Sequence, residues 1–156
     1  MKLVILVVED EPEVRDAVVG DLAPFAATVR VEPAEDVADA WEAVADIDAD
    51  GDLLALVLAD HRMPGRSGVD MLVDMNADDR TAAARKVLVT GQADQADTIR
   101  AVNDAGLDHY IAKPWDPSRL QQVVRDQLTD FVLEAGIDPL PHLRALDRAR
   151  AMEALR

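Results

Sequence analysis

Four places in the chain carry side chains that could do chemistry together: Glu9-Asp10, Asp60, Thr90 and Lys113. Each closes an apolar run. Leu3–Val8 ends in Glu9-Asp10-Glu11-Pro12, Leu53–Ala59 in Asp60, Lys86–Val89 in Thr90-Gly91, and His109–Ala112 in Lys113-Pro114. If these runs are parallel strands of one sheet, their carboxyl ends share an edge, where open α/β sheets place ligands. Carboxylates gathered at one spot repel each other. The ordinary remedy is a divalent cation, and Mg²⁺ commonly takes one or two carboxylates plus waters and phosphate oxygens. A Thr hydroxyl and a Lys ammonium suit the oxygens of a phosphoryl group. The chemistry invited is attack by a carboxylate on phosphorus, giving an aspartyl phosphate. Cation and lysine would neutralise charge on the equatorial oxygens.

Each residue also has a plain reading. Strand ends often carry a solvated Asp, and Tyr110 could simply pack at a sheet edge. The coincidence of Asp60 with Asp10, Thr90 and Lys113 favours function. Lys113 is one of only three lysines, arginine supplying the other basic residues, which fits a specific role. His61, His109 and His142 show no metal-ligand spacing, so no transition-metal site is expected.

The positioning elements follow from periodicity. Seven apolar residues without alternation, Leu53–Ala59, suit a strand buried on both faces, as does Leu3–Val8. Met63-Pro64-Gly65 forces a turn, after which Ser67 or Gly68 begins a helix marked by Val69, Leu72, Val73 and Met75. Pro12 suits the first turn of a helix with Val14, Val18 and Leu22 on one stripe, closed by Pro24. Residues 27–31 read as a short strand near an edge. Residues 34–47 read as an amphipathic helix through Val37, Trp41, Val44 and Ile47. Lys86–Thr90 and His109–Ala112 are two further strands. Ile99 and Val102 mark a helix capped by Gly106, and Leu120 to Val132 trace a long helix stopping at Gly136. Strand and helix alternate five times, the pattern of a doubly wound parallel sheet.

Composition sets limits. A chain of 156 residues is one domain, or one with an appendage, and buries roughly 70% of its unfolded surface. A net charge of −15 argues against nucleic acid or an anionic membrane as a direct partner. No cysteine is present, which excludes disulfides and thiolate chemistry. The first apolar run is too short for a signal peptide or membrane span, so a cytoplasmic protein is expected.

Over residues 1–135 the sequence resembles the receiver domain of two-component response regulators. The matching stretches are Val8-Glu9-Asp10-Glu11, Ala59-Asp60-His61-Arg62-Met63-Pro64-Gly65, Val89-Thr90-Gly91 and Tyr110-Ile111-Ala112-Lys113-Pro114. All four in order, each at a strand end, make a specific signal. The resemblance implies a flavodoxin-like sheet of order 2-1-3-4-5. It implies that Asp60 accepts a phosphoryl group from a histidine kinase or histidine phosphotransfer protein. Asp10, Glu9, Asp60 and the backbone carbonyl of Arg62 would hold Mg²⁺. Lys113 would pair with the phosphoryl group, Thr90 would move to hydrogen-bond it, and Tyr110 would swing inward as the aromatic switch. Gly91 would keep the site open, and Pro114 would follow a cis peptide bond. Signalling would be read on the fourth helix, fifth strand and fifth helix. The family makes such a protein a phosphoacceptor rather than a turnover enzyme.

The chain departs from the family pattern at Glu9, where Asp is commoner, and at His61, where an apolar residue is commoner. His61 reads as an exposed loop residue. Arg62 and Gln92 stand where their side chains could flank the phosphoryl group. Three rivals remain: a phosphorylation-independent module on the same fold, a phosphohydrolase with an aspartate nucleophile, or a fragment of a protein with an enzymatic output. The phosphohydrolase wants a second Asp two residues after the nucleophile, and Arg62 stands there.

Residues 136–156 form an extension. Asp138-Pro139 starts a helix running to about 155, its stripe broken by Asp147 and Arg150. Four Arg against Asp138, Asp147 and Glu153 give it a net +1, with no basic cluster for DNA. It could fold onto its own domain, pair with a second copy, or begin a linker. Pairing is the first expectation, through this helix or through the fourth helix, fifth strand and fifth helix.

Overall fold

The computed structural model describes residues 1–91 and 95–156, with the backbone alone at 95 and 97. Five strands form one parallel sheet in the order β2-β1-β3-β4-β5: β1 Leu3–Val8, β2 Val29–Ala34, β3 Leu53–Ala59, β4 Arg85–Thr90 and β5 His109–Ala112. The helices are α1 Pro12–Asp21, α2 Val37–Ala49, α3 Gly68–Ala77, α4 Gln95–Asp104, α5 Pro117–Ala135 and α6 Arg148–Glu153.

The continuous apolar runs are explained by two cores, one on each face. In β1, Leu3, Ile5 and Val7 join α1 and α5, while Val4, Leu6 and Val8 join α2 and α3. Alternate side chains point to opposite faces of a strand, so a strand covered on both sides has no polar position to spare. The β1–β3 register shifts between Val4 and Ile5, skipping Ala55. That irregularity leaves Ala55 and Leu56 in the same core.

Three expectations need correction. The second strand starts and ends later than residues 27–31, and Ala34 belongs to it, paired with Val8, rather than to the helix. Its position at the sheet edge tolerates Pro33. Helix α2 begins after Asp36, whose side chain accepts from the Asp39 N–H at 2.8 Å. Ile99 and Val102 lie on α4 but are 52% and 54% exposed, while Ala101 on the helix and Ala105 just beyond its end are the buried residues there.

The third correction concerns the extension. It is not one helix: a 3-10 turn, Leu140–Ala145, precedes α6, and Asp147 is the N-cap of α6, accepting from Arg150 N–H at 3.2 Å. Its apolar residues Ala145, Leu146 and Ala151 are buried in the core beneath α1 and α5. The Thr129 hydroxyl accepts from the Asp147 N–H at 2.8 Å and donates to the Arg125 carbonyl at 2.7 Å. Arg125 lies over the Phe25 ring at 5.0 Å and donates to the carbonyls of Arg144 and Leu146. Arg150 pairs with Asp130 at 2.6 Å. Part of the apolar stripe is spent on the chain's own domain, while Leu140 and Leu155 stay 53% and 45% exposed. Among the described residues no helix is long and apolar enough to cross a membrane.

Candidate functional site

The sheet delivers the expected residues to one edge. Asp60 follows β3, Glu9 and Asp10 follow β1, Thr90 ends β4 and Lys113 follows β5. Glu9, Asp60 and Thr90 are 3%, 6% and 2% exposed, so these polar groups stand on an apolar floor that includes Val7, Leu58 and Val89. Carboxylate oxygens of Glu9, Asp10 and Asp60 all lie within 4.8 Å of one another. The Lys113 Nζ sits 3.1 Å from Glu9 Oε1 and 3.4 Å from Asp60 Oδ2.

One ammonium does not satisfy three acids. Glu9 Oε2 and Asp10 Oδ1 are buried without a hydrogen-bond partner. Burial pushes the Glu9 carboxyl up to about 8, with Asp60 adding to the rise and Lys113 opposing it. Burial works against the Lys113 ammonium, but Glu9 and Asp60 outweigh it and raise its pKa. Orphaned carboxylate oxygens beside a buried acid form a donor set that fits a hard divalent cation with oxygen preference. Glu9, Asp10 and Asp60 would hold it.

Local sequence explains why the loops keep this shape. Ser67 caps α3 by accepting from the Asp70 N–H at 3.1 Å. Gly68 donates its N–H to the His61 carbonyl at 2.8 Å. A Cβ at Gly68 would lie 1.9 Å from the Asp60 carbonyl oxygen, so only glycine permits this approach. Sequence reasoning saw Gly68 as a helix start and missed that it braces the Asp60 peptide. Gly91 is less demanding: a Cβ there would meet Lys113 Cβ at an ordinary 3.7 Å. His61 is a correction, being 7% exposed rather than exposed. Arg62 is exposed, and Gln92 lies outside the described residues. The Tyr110 ring is 36% exposed and its hydroxyl donates to the Thr90 backbone carbonyl at 3.1 Å. The Lys113–Pro114 peptide is cis, as expected.

A sequence model of the response regulator receiver domain matches residues 5–125. The chain belongs to that family. It is 32% identical over 122 residues to the chemotaxis protein CheY1 of Helicobacter pylori, covering 78% of this chain and 92% of that one. It is 38% identical over 72 residues to the hydrogenase transcriptional regulatory protein HoxA of Cupriavidus necator, covering 46% of this chain. There it spans only 14% of the relative's length. A CheY-like receiver domain from Methanospirillum hungatei has the same fold, with a TM-score of 0.73 at 24% identity, covering 86% and 99% of the two chains. The flavodoxin-like sheet of order 2-1-3-4-5 is thus that of CheY-like receivers, here with an additional C-terminal helix.

Proposed function

We propose that this receiver is a cytoplasmic phosphorylation-dependent switch of a two-component system, with Asp60 as phosphoacceptor and Mg²⁺ as cofactor. The donor would be a sensor histidine kinase or a histidine phosphotransfer protein. The observation carrying this reading is the carboxylate trio within 4.8 Å, Glu9 and Asp60 buried and Asp10 half-buried, with Lys113 on Glu9 and Asp60 and two carboxylate oxygens unsatisfied.

A carboxylate oxygen of Asp60 attacks phosphorus in line, and the bond from phosphorus to the donor breaks with its electron pair leaving on the donor. Asp10, Glu9, Asp60 and the Arg62 carbonyl would hold a Mg²⁺, which would offset negative charge on the phosphoryl oxygens. Lys113 supplies the fixed positive charge on the other side, already aimed at Asp60. Thr90 hydrogen-bonds the new phosphoryl group. Tyr110, bonded to the Thr90 backbone, follows that movement, so the state of Asp60 reaches the surface of α4, β5 and α5. Ile99, Val102 and Tyr110 already expose apolar area there, which suits a target or a second copy. The product stays on the protein, making it a phosphoacceptor and not a turnover enzyme. Residues 1–135 would be the switch and 136–156 a helical extension, now read as a clasp on α5.

The test is intact mass after incubation with acetyl phosphate, with and without Mg²⁺, for wild type and Asp60→Ala. One added phosphoryl group that requires both Mg²⁺ and Asp60 is expected. No adduct and no released phosphate would leave a receiver fold that works without phosphorylation.

A further inference from the structure

Lys113 follows a short strand, and its own backbone N–H donates to the Thr90 carbonyl at 3.3 Å. Strand β5 has four residues, lies at the sheet edge, and pairs only with β4. In the loop that follows, Pro114 and Asp116 are exposed. Trp115 alone of these packs against the core. Its indole N–H donates to Asp21 Oδ2 at 2.7 Å. Asp21 is the last residue of α1, and its backbone carbonyl also accepts from Gln121 Nε2 on α5 at 2.9 Å. The other end of α1 is tied to the acidic cluster, because Arg15 donates to the Glu9 backbone carbonyl at 2.9 Å. One helix therefore holds both partners of the Lys113–Glu9 contact, Glu9 near its start and the Lys113 loop at its end.

We propose that Trp115 is a positioning residue for Lys113, and that its bond to Asp21 makes α1 a brace setting the ammonium's distance from Asp60. This rests on the phosphorylation reading above. Beyond that backbone bond to Thr90, the partly buried Trp115 is the contact through which the loop meets the core, and it sets how Lys113 sits. The ring gives packing and the N–H gives direction, since even a partly buried indole N–H seeks a defined acceptor.

The brace predicts a particular separation of effects. Lys113 presses a positive charge onto the same carboxylates that would take Mg²⁺. When the ammonium drifts away, the phosphoryl transition state loses stabilisation while the cation meets less repulsion. General loosening would instead damage both functions.

The experiment uses the full chain as wild type, Trp115→Phe, Asp21→Ala and Asp21→Asn. Phosphorylation by acetyl phosphate is timed by intact mass at saturating Mg²⁺, and Mg²⁺ alone is titrated calorimetrically. Trp115→Phe and Asp21→Ala should slow phosphorylation about tenfold, the scale of a small misplacement of a charged group. Their Mg²⁺ affinity should hold or rise. Asp21→Asn keeps a carbonyl acceptor and should restore the rate to within roughly twofold of wild type. If Trp115→Phe does not fold, the Asp21 pair decides. Rates unchanged in both disrupting variants, or rate and Mg²⁺ affinity falling together, would overturn the proposal. Wild type that binds Mg²⁺ yet takes no phosphoryl group would remove the phosphorylation reading, and this role with it.

Discussion

Glu9 and Lys113 lie 104 positions apart in sequence and 3.1 Å apart in space. Neither the first strand nor the fifth reaches the other, and β3 and β4 lie between them. The contact exists because parallel strands bring all their carboxyl ends to one edge. It joins a carboxyl displaced upward by burial to an ammonium held charged by its neighbours.

The metal-free protein should lose stability as the pH rises through Glu9's titration. The unfolded chain ionises this group near its ordinary 4.5, whereas the folded protein holds the proton up to about 8. Between those values the unfolded chain binds fewer protons, so stability falls with rising pH and the loss is complete above about 8. Glu9→Gln removes that slope. Thermal melts without Mg²⁺ should show the variant more stable than wild type at alkaline pH, by about 1 kcal/mol or more. Added Mg²⁺ should raise the wild-type midpoint more than that of the variant. Parallel pH profiles for the two proteins would show that Glu9 is not the group responsible.

Gly68→Ala should injure the site from outside it. The new Cβ would fall 1.9 Å from the Asp60 carbonyl oxygen, so either the start of α3 or the Asp60 peptide must move. A cost of about 1–3 kcal/mol is expected, the range for overpacking a closed contact. Phosphorylation should slow in parallel, because the displaced peptide carries the nucleophile. Gly91→Ala is the control, its nearest contact being an ordinary 3.7 Å. Equal effects of the two would remove the steric account.

The extension should unfold with the domain and not before it. Leu146 is 2% exposed, and Leu146→Ala should cost about 2–5 kcal/mol, as for other buried leucines. Thr129→Val leaves the Asp147 N–H without its acceptor, at about 1–3 kcal/mol. Both losses should appear in the main urea transition, with amide exchange in residues 140–153 as slow as in the lower half of α5. Rapid exchange there in wild type, with an unchanged urea midpoint in the variants, would make the extension a loosely attached tail.

The sequence by itself determined four of the five strands closely, the alternation of strand with helix, and the reactive residues that follow those four strands. An unbroken apolar run is legible because both of its faces are buried, so the side-chain pattern does not depend on which neighbours cover it. Asp60, Thr90 and Lys113 were legible as the polar residues that interrupt such runs. Tertiary structure decided what lay on one-sided or marginal elements. Ala34 joined a strand because β1 offered a partner through Val8, against its reading as the start of a helix. Ile99 and Val102 faced outward because small alanines let α4 pack close, which an apolar count could not distinguish. His61 is buried although Arg62 beside it is exposed, a contrast that no local pattern encodes. The extension folded onto α5 because Thr129 and Arg125 offered its backbone hydrogen bonds beside an uncovered apolar groove. Those partners are distant in sequence, and no local pattern announces that an acceptor will be waiting.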